Sequence, residues 1–323
     1  MKLGEAALDL YMPSTQRHVV ERLVEAASRL PLNPVKLRPP VFRGGLPEPA
    51  SCITGVDGGH QVLELCGGSL IMAAAVAYTA PLTLIEDKEP LIEAEVLLTE
   101  ADDPAAVAEA VERRLTYRAA FKALLHRGSE ALLIDGGLLP HPHLYQAGRD
   151  ELASCVVEEA RLLALAEAKG VDVAGVVKRS RGRLFDGVHR DTALLDLREG
   201  EATEPRPVEE NWLKRLREAA KSMGLDLPEV YVSYVKTTQH REPLRVEVPS
   251  WARLNKLLST ILATADPLTG VPVHVAKADS HTKVHAGVVR AVYSRLLYRL
   301  VEEHGEAAED YLRLVRGERA WEE

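Results

Sequence analysis

The sequence predicts an α/β protein, a mixed sheet flanked by helices, with an N-terminal helical arm. Three observations predict it. Three apolar segments between Ile53 and Tyr78 are joined by connections too short for parallel crossovers, so they read as an antiparallel meander. From Ala131 onward, strand-like and helix-like segments alternate. Two apolar runs, Ile53-Thr54-Gly55-Val56 and Leu132-Leu133-Ile134, each climb to an aspartate followed by two glycines, Asp57-Gly58-Gly59 and Asp135-Gly136-Gly137. With 46% hydrophobic residues the chain can bury a full core, and with 5% aromatics aliphatic side chains must pack it.

The elements follow in order. Residues 14–30 place Val19, Val20, Leu23, Val24 and Ala27 on one helical face, which packs within the chain or at a dimer interface. Six prolines from Pro31 to Pro49 read as an extended linker, so residues 1–49 form an arm ahead of a single domain over 50–304. Strands are expected at Ile53–Asp57, Gln61–Leu65, Leu70–Tyr78 and Leu91–Leu98, with turns at Gly58-Gly59 and Gly67-Gly68. Asp103-Pro104 opens a helix running to about Arg127, because proline is tolerated in a first helical turn. A strand from Ala131 delivers Asp135, a helix spans about 144–169, and a strand from Val173 to Val177 delivers Lys178.

Residues 179–208, charged and glycine-containing, read as a mobile loop. A helix at 208–223, strands at 230–236 and 244–248, and a helix at 251–265 follow. Val271–Ala276 reads as extended chain, Asp279 as the opening of a last long helix to His304, and 305–323 as a charged helix and tail.

The formal net charge of −8 argues against nonspecific polyanion binding by the whole surface, but not against a local basic groove. Cys52, Cys66 and Cys155 have no zinc spacing and read as reduced thiols of a cytoplasmic protein, with a Cys52–Cys66 contact across a hairpin conceivable. The N-terminus lacks a basic-then-apolar signal pattern, and the longest apolar stretch, 70–85, reads as two strands rather than a membrane span. Four Gln and three Asn beside abundant Glu and Arg give a thermophile's composition.

Two carboxylates at neighbouring strand ends would make a hard-oxygen site suited to Mg²⁺ or Mn²⁺. Further candidates arrive in order: Glu109 and Glu112 on the helix after Asp103, Lys178, and the segment Asp279-Ser280-His281. Acidic groups converging from several elements, with a lysine beside them, suit metal-assisted phosphodiester hydrolysis. Each residue also has a plainer reading. Glu112 pairs with Arg113 or Arg118, Asp279 caps a helix, His281 decorates a helix face, and Lys178-Arg179-Ser180-Arg181 is a solvated loop unless it faces the cleft. Tyr145 and Trp212 are candidates for base stacking, although core packing explains them better.

Asp57-Gly58-Gly59 after a strand, Ile134-Asp135-Gly136-Gly137-Leu138, Val176-Val177-Lys178-Arg179-Ser180 and Ala278-Asp279-Ser280-His281-Thr282-Lys283-Val284 together resemble the NurA nucleases, in that family's order. The resemblance covers about 50–300 and implies an RNase H-like fold and DNA cleavage dependent on Mn²⁺ or Mg²⁺. It also implies 5′-to-3′ exonuclease and single-strand endonuclease activity and a homodimer. The dimer would sit on a hexameric HerA-type ATPase in DNA end resection. It matches Asp57 and Asp135 to the family's metal-binding aspartates, Lys178 to its motif lysine, and Asp279 to an Asp or His near the last long helix. The chain departs from the family in the middle helix, where Thr116 stands in place of a metal-binding glutamate and Glu112, one turn away, is the substitute.

Two other functions compete. An ATP-handling protein of the actin type shares the core, but His60-Gln61 follows the first Asp-Gly-Gly where that superfamily has Gly with Ser or Thr, and Gly270 lacks a second glycine. A catalytically weak partner subunit that docks on the translocase and guides DNA fits the missing glutamate.

Overall fold

The computed structural model describes residues 14–28, 35–42, 44–83, 89–140, 144, 149–208, 211–283, 286–305, 310 and 312–314. Residues 29–34, Tyr145 and the tail beyond 314 lie outside these. The chain divides into two compact units, 1–37 and 38–323. In the first, α1 (Ser14–Ser28) carries Val19, Leu23 and Val24 exposed.

The second unit is built on one eight-stranded sheet. Its strands are β1 (Cys52–Leu65), β2 (Gly68–Pro81), β3 (Leu91–Thr99), β4 (Ala131–Asp135), β5 (Asp172–Val177), β6 (Arg206–Pro207), β7 (Val230–Val235) and β8 (Leu244–Pro249). The order is β3-β2-β1-β4-β5-β8-β7-β6. β1 to β3 pair antiparallel, with the first two strands of the expected meander merged into β1, and β1–β4 and β4–β5 are parallel, giving the expected RNase H-like mixed sheet. Its helices are α2 (Pro104–His126), α3 (Arg149–Lys169), α4 (Asp191–Leu194), α5 (Asn211–Ser222), α6 (Leu254–Thr264), α7 (Val273–Thr282) and α8 (Ala286–His304).

Alternation along the strands sorts side chains to two faces. Val56, Leu132, Ile134 and Val173 pack with α2 and α3, whereas Ile53, Ala131, Leu133, Ala174 and Val176 pack with α6 and Val275 of α7. Leu132, Leu133 and Ile134 are fully buried, and each such burial is worth about 1.5–3 kcal/mol. A third cluster joins Leu70 and Met72 of β2 to Val289 and Tyr293 of α8. Asp103 caps α2, its Oδ1 accepting from the Ala106 amide at 3.0 Å, and Pro104 takes the first helical position.

Several expectations are corrected. Gly58-Gly59 do not end a strand. β1 runs through them, paired with β2 from Cys52–Pro81 to Leu65–Gly68. A Cβ on Gly58 would lie 2.5 Å from Thr116 Oγ1 of α2, and one on Gly59 would lie 2.9 Å from the Thr282 carbonyl of α7. The pair therefore answers helix approach on both faces, not a turn. Gly136, with φ of +90°, does break the chain after β4. Because β1 is continuous, Cys52 and Cys66 stand at its opposite ends, roughly 45 Å apart at strand rise, and both are free.

Residues 179–208 form a packed excursion rather than a bare loop. The fully buried Asp191 accepts from the Leu184 amide (2.8 Å), the Phe185 amide (3.1 Å) and the Tyr234 hydroxyl (2.7 Å). The segment after Arg38 is tied to the core, with Arg38 on Glu201 at 2.6 Å, Phe42 N on Ala202 O at 2.8 Å and Ser259 Oγ on Pro47 O at 2.7 Å. Val271–Ala276, whose alternating valines suggest extended chain, instead enters α7 at Val273. A stripe of His274, Val275, Ala278 and Thr282 is buried there, and burial on a helical period overrides β-propensity. Asp279 thus lies near the end of α7, not at the start of α8.

Candidate metal centre

The register of β1 and β4 sets the site. Val56 pairs with Ile134, so the next residues along the parallel strands, Asp57 within β1 and Asp135 at the end of β4, lie side by side where β4 stops. Both share parity with residues facing α7: a Cβ on Gly55 would meet the His274 backbone at 2.2 Å, and Leu133 packs on the α7 side. Asp279, one helical turn after Val275, completes the group, and ligand atoms of Asp57, Asp135 and Asp279 lie within 4.8 Å of one another. Such a group occurs once among the described residues.

Two lysines balance the carboxylates. Lys178, on the α7-side parity of Val176, places Nζ 2.5 Å from Asp135 and 3.7 Å from Asp279. Lys283 lies 3.6 Å from Asp279. Asp57 is 8% exposed, and burial, together with the Asp135 charge, pushes its pKa up to about 7 against the pull of Thr282 and Lys178. Burial opposes the Lys178 charge, but Asp135, and then Asp279 and Asp57, outweigh it and raise that pKa.

Glu112 is not brought into this group. It sits on α2, across the sheet, where a Cβ on Gly58 would approach it. Its Oε2 pairs with His60 Nδ1 at 2.5 Å, which raises the His60 pKa. Thr116 is buried and donates to the Glu112 carbonyl at 2.9 Å. His281 is exposed and outside the trio.

Two openings flank the trio. One, of about 270 Å³, is lined by Asp57, His60, Asp279, Thr282 and Lys283. The other, of about 620 Å³, has Asp135, Glu112, Arg179, Arg181, Trp212 and Arg245 among its lining residues, so the exposed arginines after Lys178 border this opening. Tyr145 lies outside the described residues.

Sequence reasoning missed the residues that hold these groups in place. Arg113 Nη1 donates to the Asp135 carbonyl (3.2 Å) and its Nε to Tyr117, whose hydroxyl donates to the Leu138 carbonyl (2.8 Å). Glu247, paired with Arg245 at 2.7 Å, accepts from the Leu138 amide at 2.8 Å. These contacts clamp the turn after β4. Thr282 donates to Asp57 Oδ2 at 2.7 Å. The arginine and tyrosine at i and i+4 on α2 were readable as a pair, whereas Glu247 carries no local signal.

The NurA domain model matches residues 52–284. The crystal structure of the NurA nuclease from Sulfolobus solfataricus aligns over 81% of this chain and 88% of its own, with a TM-score of 0.60 at 12% identity, which shows the shared fold. A NurA crystal structure with manganese covers 90% and 98% with a TM-score of 0.47 at 12% identity. Endonuclease V from Bacillus subtilis covers 88% and 95% with a TM-score of 0.44 at 15% identity. No curated protein sequence matches. With the domain model spanning well over half of the chain, the protein belongs to the NurA family.

Proposed function

We propose that this protein is a divalent-metal-dependent deoxyribonuclease. The convergence of Asp57, Asp135 and Asp279 beside Lys178 carries the reading. The donor set fits Mn²⁺ or Mg²⁺: three hard carboxylate oxygens crowd one point, and a carboxyl pushed up to about 7 by burial and its neighbour's charge is one that a cation would relieve. Asp57, Asp135 and Asp279 would hold the ion, which when bound supplies Lewis-acid stabilisation and a more acidic water. Lys178, freed from Asp135 by that exchange, is placed to neutralise a phosphate oxygen. Arg179 and Arg181 offer the backbone of an entering strand a basic wall that the overall acidic charge conceals. The clamp on 135–138 holds Asp135 in place as the charges change.

Family membership supports the finer reading: 5′-to-3′ exonuclease and single-strand endonuclease activity, a homodimer, and work with a hexameric HerA-type ATPase in DNA end resection. One observation favours a second reading, a weak or inactive partner subunit that guides DNA. Glu112 is engaged with His60 rather than with the trio, and the family resemblance implies Thr116 where a metal-binding glutamate would stand. End-labelled single- and double-stranded DNA incubated with Mn²⁺, Mg²⁺ or EDTA separates the two. Cleavage that needs metal and vanishes in Asp57→Ala supports the nuclease. Well-folded protein that never cleaves, with the ATPase present, supports the partner subunit.

A further inference from the structure

We propose that Thr282 is a positioning residue for Asp57, a role that rests on the metal-centre reading above. Thr282 is the last residue of α7 and only 4% exposed. Its hydroxyl reaches Asp57 Oδ2 at 2.7 Å and the Asp279 carbonyl at 3.1 Å, and the carboxylate is the stronger acceptor. Among the described residues no other donor reaches Asp57, so this bond decides which oxygen is spoken for and which is left for an ion.

The chain is built to make the contact. At Gly55 the α7 backbone passes where a Cβ would lie 2.2 Å from His274 C, and at Gly59 the Thr282 carbonyl passes where one would lie 2.9 Å away. Two glycines on one face of β1 thus let α7 lie against the strand at both ends. The helix's buried stripe of His274, Ala278 and Thr282 is what lies there. A hydroxyl delivered to a carboxylate by backbone contact at two points is held more rigidly than a side chain from a loop. Metal ligands held by such an outer partner typically lose about 10–100-fold in metal affinity when the partner is removed.

The test is Mn²⁺ binding to the full chain by titration calorimetry at pH 8, for wild type, Thr282→Val and Thr282→Ser, with guanidinium melts in EDTA to establish folding. Thr282→Val is expected to bind Mn²⁺ about 10–100-fold more weakly, with Thr282→Ser restored towards wild type because the hydroxyl returns. Should the valine variant fail to fold, Thr282→Ala supplies the hydroxyl-free comparison. Hydroxyl-free protein that binds Mn²⁺ as tightly as wild type overturns the role. Wild type that binds no Mn²⁺ overturns the metal centre and this role with it. Metal binding lost in the variant beside a wild type that never cleaves DNA sinks the nuclease reading and leaves the role of Thr282 standing.

Discussion

Asp57→Asn should make the metal-free protein more stable, and by an amount that depends on pH. In the folded chain the Asp57 carboxyl is pushed from 3.8 up to about 7, first by burial and then by the Asp135 charge. The folded state therefore holds a proton that the unfolded state gives up between those two values. The stability this proton contributes is fully present below pH 3.8 and is lost as pH rises through about 7. At about 1.4 kcal/mol per pK unit the shift sets a ceiling of about 4 kcal/mol lost by pH 8. Relaxation around the carboxylate reduces the expected loss to about 2–4 kcal/mol.

Asparagine carries no charge and keeps an oxygen for the Thr282 hydroxyl. In EDTA the variant should thus match wild type near pH 4 and exceed it by about 2–4 kcal/mol at pH 8. Mn²⁺ at about 1,000 times its dissociation constant should cancel or reverse the gap, because it adds about 4.1 kcal/mol to wild type and little to the variant. Guanidinium melts at pH 4, 6 and 8, with EDTA and with Mn²⁺, measure all of this. A variant less stable than wild type at pH 8 in EDTA, or a gap that does not grow with pH, would refute the reasoning.

Four further outcomes are expected. Lys178→Met removes the ammonium 2.5 Å from Asp135, and melts in EDTA at pH 8 should show a loss of about 1–3 kcal/mol, with Mn²⁺ recovering part of it. Glu112→Gln should leave Mn²⁺ affinity in calorimetry near wild type, because its partner is His60 and not the trio. It should also lower the His60 pKa followed by imidazole NMR, and a large loss of Mn²⁺ affinity would return Glu112 to the metal ligands. Gly55→Ala should destabilise by about 3 kcal/mol or more in urea melts, since its methyl meets helix backbone at 2.2 Å, which cannot rotate away. Glu247→Ala leaves Arg245 buried without its partner and Leu138 N without an acceptor. Urea melts should show a loss of about 3–5 kcal/mol, with Mn²⁺ affinity falling as the turn after Asp135 loosens.

The parts of the fold that local chemistry dictates were legible. The short connection at Gly67 forced β1 and β2 to pair antiparallel, Asp103-Pro104 started α2 where expected, and the aspartates that follow two apolar runs do meet. What was not legible depended on what lies across the sheet. Gly58-Gly59 look like a turn in one dimension, because the two helices that need their missing Cβ atoms come from 50 and more than 200 residues away. Val271, Val273 and Val275 look like a strand until the sheet face that buries Val275 and Ala278 is known. The excursion at 179–208 looks unstructured because its organiser, Asp191, resembles any surface acid until Tyr234 closes over it. Glu112 was a reasonable ligand by helical spacing alone. Spacing says nothing about which face of the sheet the helix covers, and that face is the wrong one for the trio.

The same three letters, Asp-Gly-Gly, therefore do two different physical jobs in one site. After β4 they end a strand. Gly136 takes a positive φ and its amide bonds back to the Val176 carbonyl at 3.0 Å, so the chain leaves the sheet just past the carboxylate. Within β1 they keep a strand going. Odd positions 55, 57 and 59 face α7 and even positions 58 and 60 face α2, so the bare backbone at 58 and 59 lets a helix close in on each side of Asp57. One motif opens the sheet beside its aspartate, and the other narrows the space around its own. Together they put Asp135 at the rim of the larger cavity and Asp57 in the tighter cleft, with Lys178 and Asp279 between α7 and the strand ends. That asymmetry buries Asp57 and raises its pKa, and makes Thr282, the one side-chain donor that reaches it among the described residues, the contact on which the centre's affinity for a cation turns.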